Sequence, residues 1–201
     1  MKRSAVVLVG GEASRAGGRE KYFFPIQGTT FLDRLIETLT PITDEVVLVA
    51  RDTEQCARFS SFSTVRVTVD RRRGLGPIGG LHAGALTAIG ESLFVVACDM
   101  PLVNPPVVEY LFSLLDDRDA VIPCWREDML EPLHAVYRRA PLRQYLENYQ
   151  ELSLRAMIRS LDCRYVSVEF LRQFDPELRT FTNINRIDEL ALLDGDSSAQ
   201  P

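Results

Sequence analysis

The chain contains no C-x-x-C pair, and its four cysteines, Cys56, Cys98, Cys124 and Cys163, are scattered along 201 residues. That spacing excludes the paired-cysteine metal and redox motifs and reads as thiols kept in a reducing compartment. Histidine is scarcer still. His82 and His134 are too few and too separated for an imidazole metal cluster or a catalytic triad. Net positive charge is absent as well: 23 Lys and Arg stand against 28 Asp and Glu, a net charge of -5. A chain of that sign is a poor general binder of nucleic acid. No apolar run approaches the ~20 residues of a membrane-spanning helix. The opening "MKRSAVVLVGG" has an apolar stretch of about six residues, shorter than the roughly 7–15 of a secretion signal. The expectation is a cytoplasmic protein with no membrane and no nucleic-acid partner.

What is present is an ordinary globular composition, 46% hydrophobic and 25% charged, enough for one domain with a substantial core. Four β-branched apolar runs stand out: "AVVLV" (5–9), "EVVLVA" (45–50), "VRVTV" (65–69) and "SLFVVAC" (92–98). Three of them are almost continuously apolar, as strands covered on both faces are. Helical patterns lie between them. Leu32, Leu35, Ile36 and Leu39 share one face, with Thr30 and Asp33 as a capping box. Val107, Val108, Leu111, Phe112 and Leu115 mark a second helix over 106–116. "DAVIPC" (119–124) and "HAVY" (134–137) read as a fifth strand and a short sixth. Helices at about 139–148 and 153–160, a strand at 163–168 and a last helix near 186–193 complete the pattern. Strands alternating with helices imply an α/β fold, three-layered, with a doubly wound and mostly parallel sheet. The expected domain runs over 1–193, and 194–201, "DGDSSAQP", reads as a disordered tail.

In such sheets ligands sit outside the carboxyl ends of the strands at the switch point, between strands 1 and 4 of the order 3-2-1-4. The loop after strand 1 is "GGEASRAGGREK", with Gly10, Gly11, Gly17 and Gly18 and the cations Arg15, Arg19 and Lys21. It matches neither the Walker A spacing nor G-x-G-x-x-G. Free backbone N–H groups beside a lysine suit a polyphosphate all the same; a solvated turn is the plainer alternative. After strand 4 comes "CDMPL". Asp99 there is a hard carboxylate of the kind that holds Mg²⁺ together with substrate phosphates, or a turn residue satisfying nearby amides. "GLGPIG" (74–79) fits a dinucleotide fingerprint, but it follows the third strand and carries Pro77, which reads better as the first residue of a helix. Gly79, Gly80 and Gly84 would let that helix pack closely. His82 reads as structural. In "TNIN", Asn183 reads as a turn residue and Asn185 as a helix N-cap.

Together, "LVGGEASRAGGREK", Asp70 before "GLGPIGGL", "CDMPL", "EPLHAVY" and "FTNINRIDEL" resemble, in order and spacing, the molybdenum cofactor guanylyltransferases, the MobA family. The resemblance runs from about residue 5 to 191. It implies a Rossmann-like nucleotide-binding fold and transfer of GMP from GTP to molybdopterin with release of pyrophosphate. It implies that Leu8, Gly10, Gly11, Arg15, Gly17, Gly18 and Lys21 hold GTP, with Asp70 toward the nucleoside. It implies that Asp99 binds Mg²⁺, that Lys21 and Asp99 serve catalysis, and that Asn183 and Asn185 complete the site toward the reacting groups or the pterin. Transient contacts with molybdopterin-synthesis proteins and apo-molybdoenzymes are a further family expectation. The chain departs from the family signature at Val9, Ala16 and Glu20. At the end of strand 2, Ala50 stands where relatives carry an Asn thought to touch the nucleotide. Three rival readings are a cytidylyl- or sugar-phosphate nucleotidylyltransferase, a nucleotide-binding module without turnover, and an NAD-dependent oxidoreductase resting on "GLGPIG".

Overall fold

The computed structural model describes residues 1–9, 15–16, 19–26, 28–70, 72, 74–148, 153–185 and 189, and only the backbone at 15–16 and 19–21. The first, second and fourth apolar runs form β1 (Arg3–Leu8), β2 (Glu45–Ala50) and β4 (Ser92–Ala97). All three are buried over nearly their whole length, which accounts for their unbroken apolar character. β1 lies between the other two and is parallel to both, with Val6 opposite Val47 on one side and Val95 on the other. β3 (Arg66–Val69) adds in parallel outside β2. The expected order 3-2-1-4 is the order found.

Beyond β4 the sheet changes character. β5 (Ala120–Arg126) is not the next strand across; β6 (His134–Arg138) is inserted between them, antiparallel to both. "HAVY" is thus an interior strand rather than a marginal one, and all four of its residues are buried. β7 (Cys163–Ser167) pairs in parallel on the far side of β5. A two-residue strand, Met129–Leu130, folds back on the end of β5. Because β6 opposes both its neighbours, β5 runs in the same direction as β4 and β1. Their carboxyl ends share one edge of the sheet.

Successive strand residues face opposite sides. Val7, Leu48 and Phe94 pack under α1 (Phe31–Leu39) and α4 (Pro105–Ser113). Val6, Val95 and Ala135 pack under α3 (Pro77–Thr87), α5 (Arg139–Asn148) and α6 (Leu154–Ser160). Helices on both faces make the three layers. The capping box of α1 is present: the Thr30 hydroxyl accepts from the Asp33 amide at 3.1 Å. Pro77 opens α3 as its first residue. A Cβ on Gly84 would collide with Val6 Cγ1, so this glycine lets α3 lie directly on β1. α4 starts one residue before the expected 106, where Asn104 caps it through the Val107 amide, and ends at Ser113. The four cysteines are free thiols. Among the described residues no helix is long and apolar enough to cross a membrane. The last helix expected at 186–193, apart from Glu189, and the tail 194–201 lie outside the described residues.

Candidate active site

The carboxyl ends of β1, β2 and β3 are tied to one another by main-chain bonds. The Val9 amide donates to the Val49 carbonyl at 3.0 Å, and the Asp70 amide to the Ala50 carbonyl at 2.8 Å. Gln55, 1% exposed, is a further staple that the sequence reading missed. It lies in α2 (Thr53–Ala57), a short helix capped by Asp52. Its side-chain carbonyl accepts from the Arg51 amide at 2.7 Å and its amide nitrogen reaches the Val9 carbonyl at 3.5 Å. Ala50 is fully buried, so position 50 presents no side chain to a ligand.

The expected phosphate loop begins directly after Val9. Gly10, Gly11, Gly17 and Gly18 lie outside the described residues, and of Arg15 and Lys21 only the backbone is described. That backbone forms a small ladder in which Arg15 pairs with Glu20 and Ala16 with Arg19. Lys21 then opens a 3₁₀ turn, Lys21–Phe23. The chain leads on to Phe24 and Ile26, whose buried side chains meet Phe31 of α1 and Ile184. Leu8 is 7% exposed and packs toward Gly80. Its side chain spaces β1 from α3 and its carbonyl accepts from Cys98 at 3.1 Å.

Asp70 and Asp99 flank this loop. Asp70 ends β3, where its carboxylate accepts from the Arg72 amide at 2.8 Å and lies against the first turn of α3. A Cβ at position 79 would come within 2.6 Å of the Asp70 Oδ1, so only glycine leaves room for the carboxylate there. The helix N-terminus favours that charge. Asp99 lies in the turn just after β4, on the other side of β1. The strands that lead to Asp70 and Asp99 are three strand spacings apart, ~14 Å, a span suited to an extended nucleotide.

Asn183 and Asn185 come to the same place from the far end of the chain. The Ile184 amide donates to the Asp99 carbonyl at 2.8 Å, and the Ile184 side chain is fully buried beneath it. Both flanking asparagines are exposed. The Asn185 amide donates to the Glu189 carboxylate at 2.7 Å. One anchored residue between two exposed carboxamides holds both beside Asp99.

Behind Asp99 is a buried polar network. His134 is fully buried between the rings of Phe94 and Phe181, and its Nε2 lies 3.1 Å from the Thr180 hydroxyl. That hydroxyl accepts from the Asn104 amide, and the Thr180 amide donates to Asp175 at 2.7 Å. Burial pushes the His134 pKa down to about 3, so the imidazole is neutral and structural. His82, on α3, also has its pKa lowered, chiefly by burial and then by Arg72. Among the described residues no three His, Cys, Asp or Glu side chains cluster to hold a metal.

A carboxylate at the end of β4, a lysine-bearing loop after β1 and a parallel sheet in the order 3-2-1-4 define a nucleotide-handling α/β enzyme. Residues 5–166 match the MobA-like NTP transferase domain, and the chain belongs to that family of nucleotidyltransferases. A Methanosarcina mazei protein named "Probable molybdenum cofactor guanylyltransferase" is 40% identical over 197 residues, covering 94% of this chain and 88% of its own. A Methanosarcina acetivorans protein of the same name is 39% identical over 203 residues, covering 96% and 90%. The crystal structure of molybdopterin-guanine dinucleotide biosynthesis protein A from Archaeoglobus fulgidus superposes with a TM-score of 0.79 at 34% identity, over 97% of this chain and 98% of that one.

Proposed function

We infer that the protein transfers GMP from GTP to molybdopterin and releases pyrophosphate. The observation that carries this reading is the Ile184–Asp99 main-chain bond. It joins the acceptor-side asparagines to the carboxylate beside the phosphate loop. The terminal phosphate of molybdopterin is already anionic, so its oxygen attacks the α-phosphorus of GTP without a general base. A new P–O bond forms, the α–β P–O bond breaks, and pyrophosphate leaves. Positioning and charge neutralisation are then the whole of the catalytic task. Lys21 and the amides of the glycine loop hold the triphosphate, and Arg15 adds charge beside it. Asp70 stands toward the nucleoside. Asn183 and Asn185 orient the attacking phosphate by hydrogen bonds. Asp99 would hold Mg²⁺, which would supply neutralisation of the charge gathering on the α-phosphate and the leaving group. The buried imidazole of His134 plays no part in proton transfer.

The same reading places the protein in the cytoplasm. Its protein contacts would be transient, with molybdopterin-synthesis proteins and apo-molybdoenzymes. Pyrophosphate release is the test, measured with molybdopterin, Mg²⁺ and each of GTP, CTP, ATP and UTP. Release with GTP alone supports the reading. Release with CTP would make the protein a cytidylyltransferase, and release with none would overturn group transfer to this acceptor.

A further inference from the structure

Asp70 opens the run "DRRRG" (70–74), and Arg72 within it makes two contacts of different kinds. Its main-chain amide donates to Asp70 Oδ1 at 2.8 Å. Its guanidinium does not join that carboxylate. Nη1 instead donates to the Leu146 carbonyl at 3.0 Å, 74 positions further along the chain. Leu146 lies in the last turn of α5, among the carbonyls that a helix leaves without a partner of its own. A cation is favoured at that end of a helix. The half-buried Arg72 side chain thus ties the connection between β3 and α3 to the helix that follows β6.

Among the described residues the rest of this connection is lightly held. Gly74 and Gly76 have positive φ, 83° and 59°, and a Cβ at either would meet nothing within 4 Å. One long main-chain bond crosses the turn, from the Leu75 amide to the Arg72 carbonyl at 3.4 Å. That carbonyl also lies against the first turn of α3, 2.8 Å from where a Cβ on Gly79 would stand. The guanidinium runs close enough to His82 of α3 to add to the lowering of its pKa, after burial. Arg72 is therefore set against α3 by its main chain and anchored to α5 by its side chain. The Asp70 carboxylate that rests on its amide has roughly four lone-pair sites. Among the described residues no cationic side chain pairs with it, so it keeps acceptor capacity for a ligand.

We propose that Arg72 is a positioning residue for nucleotide binding: latched to the end of α5, it holds its own amide, and through it the Asp70 carboxylate, ready to accept a hydrogen bond from the nucleoside of GTP. The proposal rests on the guanylyl-transfer reading above, which puts Asp70 on the nucleoside side. Arg72 itself touches no ligand. A carboxylate oriented in advance is not ordered at the expense of binding, so loss of the latch weakens GTP and leaves the acceptor alone. The rival is a guanidinium that grips the phosphates directly. Energetic coupling to Asp70 separates the two.

GTP with Mg²⁺ is titrated calorimetrically into the wild-type protein, Arg72→Met, Asp70→Ala and the double variant. Methionine keeps much of the apolar stem and loses the donor; Arg72→Gln gives the same comparison if Arg72→Met does not fold. Arg72→Met alone raises Kd about tenfold, and Asp70→Ala about thirtyfold. On top of Asp70→Ala, Arg72→Met adds less than about twofold, because its route to the ligand has gone. Equal losses in both backgrounds overturn the proposal and put the guanidinium on the phosphates. A Kd for Arg72→Met equal to wild type also overturns it, whether or not the urea midpoint falls, and leaves the arginine a structural cap on α5. In the pyrophosphate-release assay Arg72→Met raises KM for GTP and leaves KM for molybdopterin unchanged. Transfer from GTP with additive variants keeps the guanylyl-transfer reading and overturns the latch. Coupled variants of a protein that releases no pyrophosphate defeat that reading and keep the latch.

Discussion

The two halves of the sheet are built differently. On the β1–β3 side every strand is parallel, α3 presses a glycine against β1, and the strand ends are stapled by main chain and Gln55. From β4 onward an antiparallel strand is inserted, a buried imidazole takes part in a polar network, and two aromatic rings stand exposed at the edge. The first half is a close-packed platform that repeats one rule, strand then helix. The second is assembled from long-range polar contacts. On the reading proposed above, the first half would hold the triphosphate and the second would meet the acceptor.

The sharpest way to break this picture is at the boundary. Asp99 follows the last strand before the inserted one, and on the reading proposed above its carboxylate would act between the two substrates. Asp99→Ala should lower kcat for pyrophosphate release about 10³-fold, roughly 4 kcal/mol of transition-state stabilisation, with the far-ultraviolet circular dichroism unchanged. A variant that keeps full activity would remove the metal from Asp99.

The next largest effect lies wholly in the second half. His134 has a folded-state pKa of about 3 against an ordinary 6.5. The unfolded chain therefore binds a proton that the folded chain refuses as pH falls below 6.5. Stability from neutral imidazole is fully present above 6.5 and is lost on acidification, by about 1.4 kcal/mol per pH unit. Over two units that is roughly 3 kcal/mol. His134→Phe keeps a ring between Phe94 and Phe181 but cannot titrate. Urea unfolding from pH 7 downward should show a flatter stability profile for the variant. Identical slopes would mean that His134 is not buried neutral.

The halves also differed in how much the sequence showed. β1, β2 and β4 were legible because a strand covered on both faces has to be apolar throughout, and the helices between them followed from local spacing and caps. Thr30 with Asp33, and Pro77 as the first residue of α3, were local signals and the structure has both. The insertion of β6 between β4 and β5 was not legible, because strand order beyond the crossover pattern depends on contacts between distant residues. Nor was the Ile184–Asp99 bond, whose partners are 85 positions apart in sequence. The motifs marked Asp99, Asn183 and Asn185 separately, and only the fold puts them together. Gln55 carries no motif at all. It acts through burial, a property that belongs to the folded chain.

In the first half, the glycine contact can be probed directly. A Cβ at position 84 meets Val6 Cγ1 at the centre of the sheet, where neither backbone can easily retreat. Gly84→Ala should cost about 2 kcal/mol by overpacking, despite alanine's better helix propensity. Denaturant midpoints measure this. A neutral or stabilising result would show that α3 has slack against β1, and that the close-packed platform is looser than its geometry states.

The smallest effect tests whether that platform is also local in its energetics. Thr30 caps α1 through the Asp33 amide, and the next residue, Phe31, packs with Phe24 and Ile184 under the candidate site. Thr30→Ala removes the cap and should cost about 1 kcal/mol of stability. Thr30→Ser, which keeps the hydroxyl, should cost much less. If α1 is an autonomous helix held by its own cap and its apolar stripe, the lost stability should leave KM for GTP and for molybdopterin where they were. A Thr30→Ala variant of near-native stability but raised KM would show the opposite. The start of α1 would then be transmitting its position through Phe31 to Ile184, and from there to Asp99.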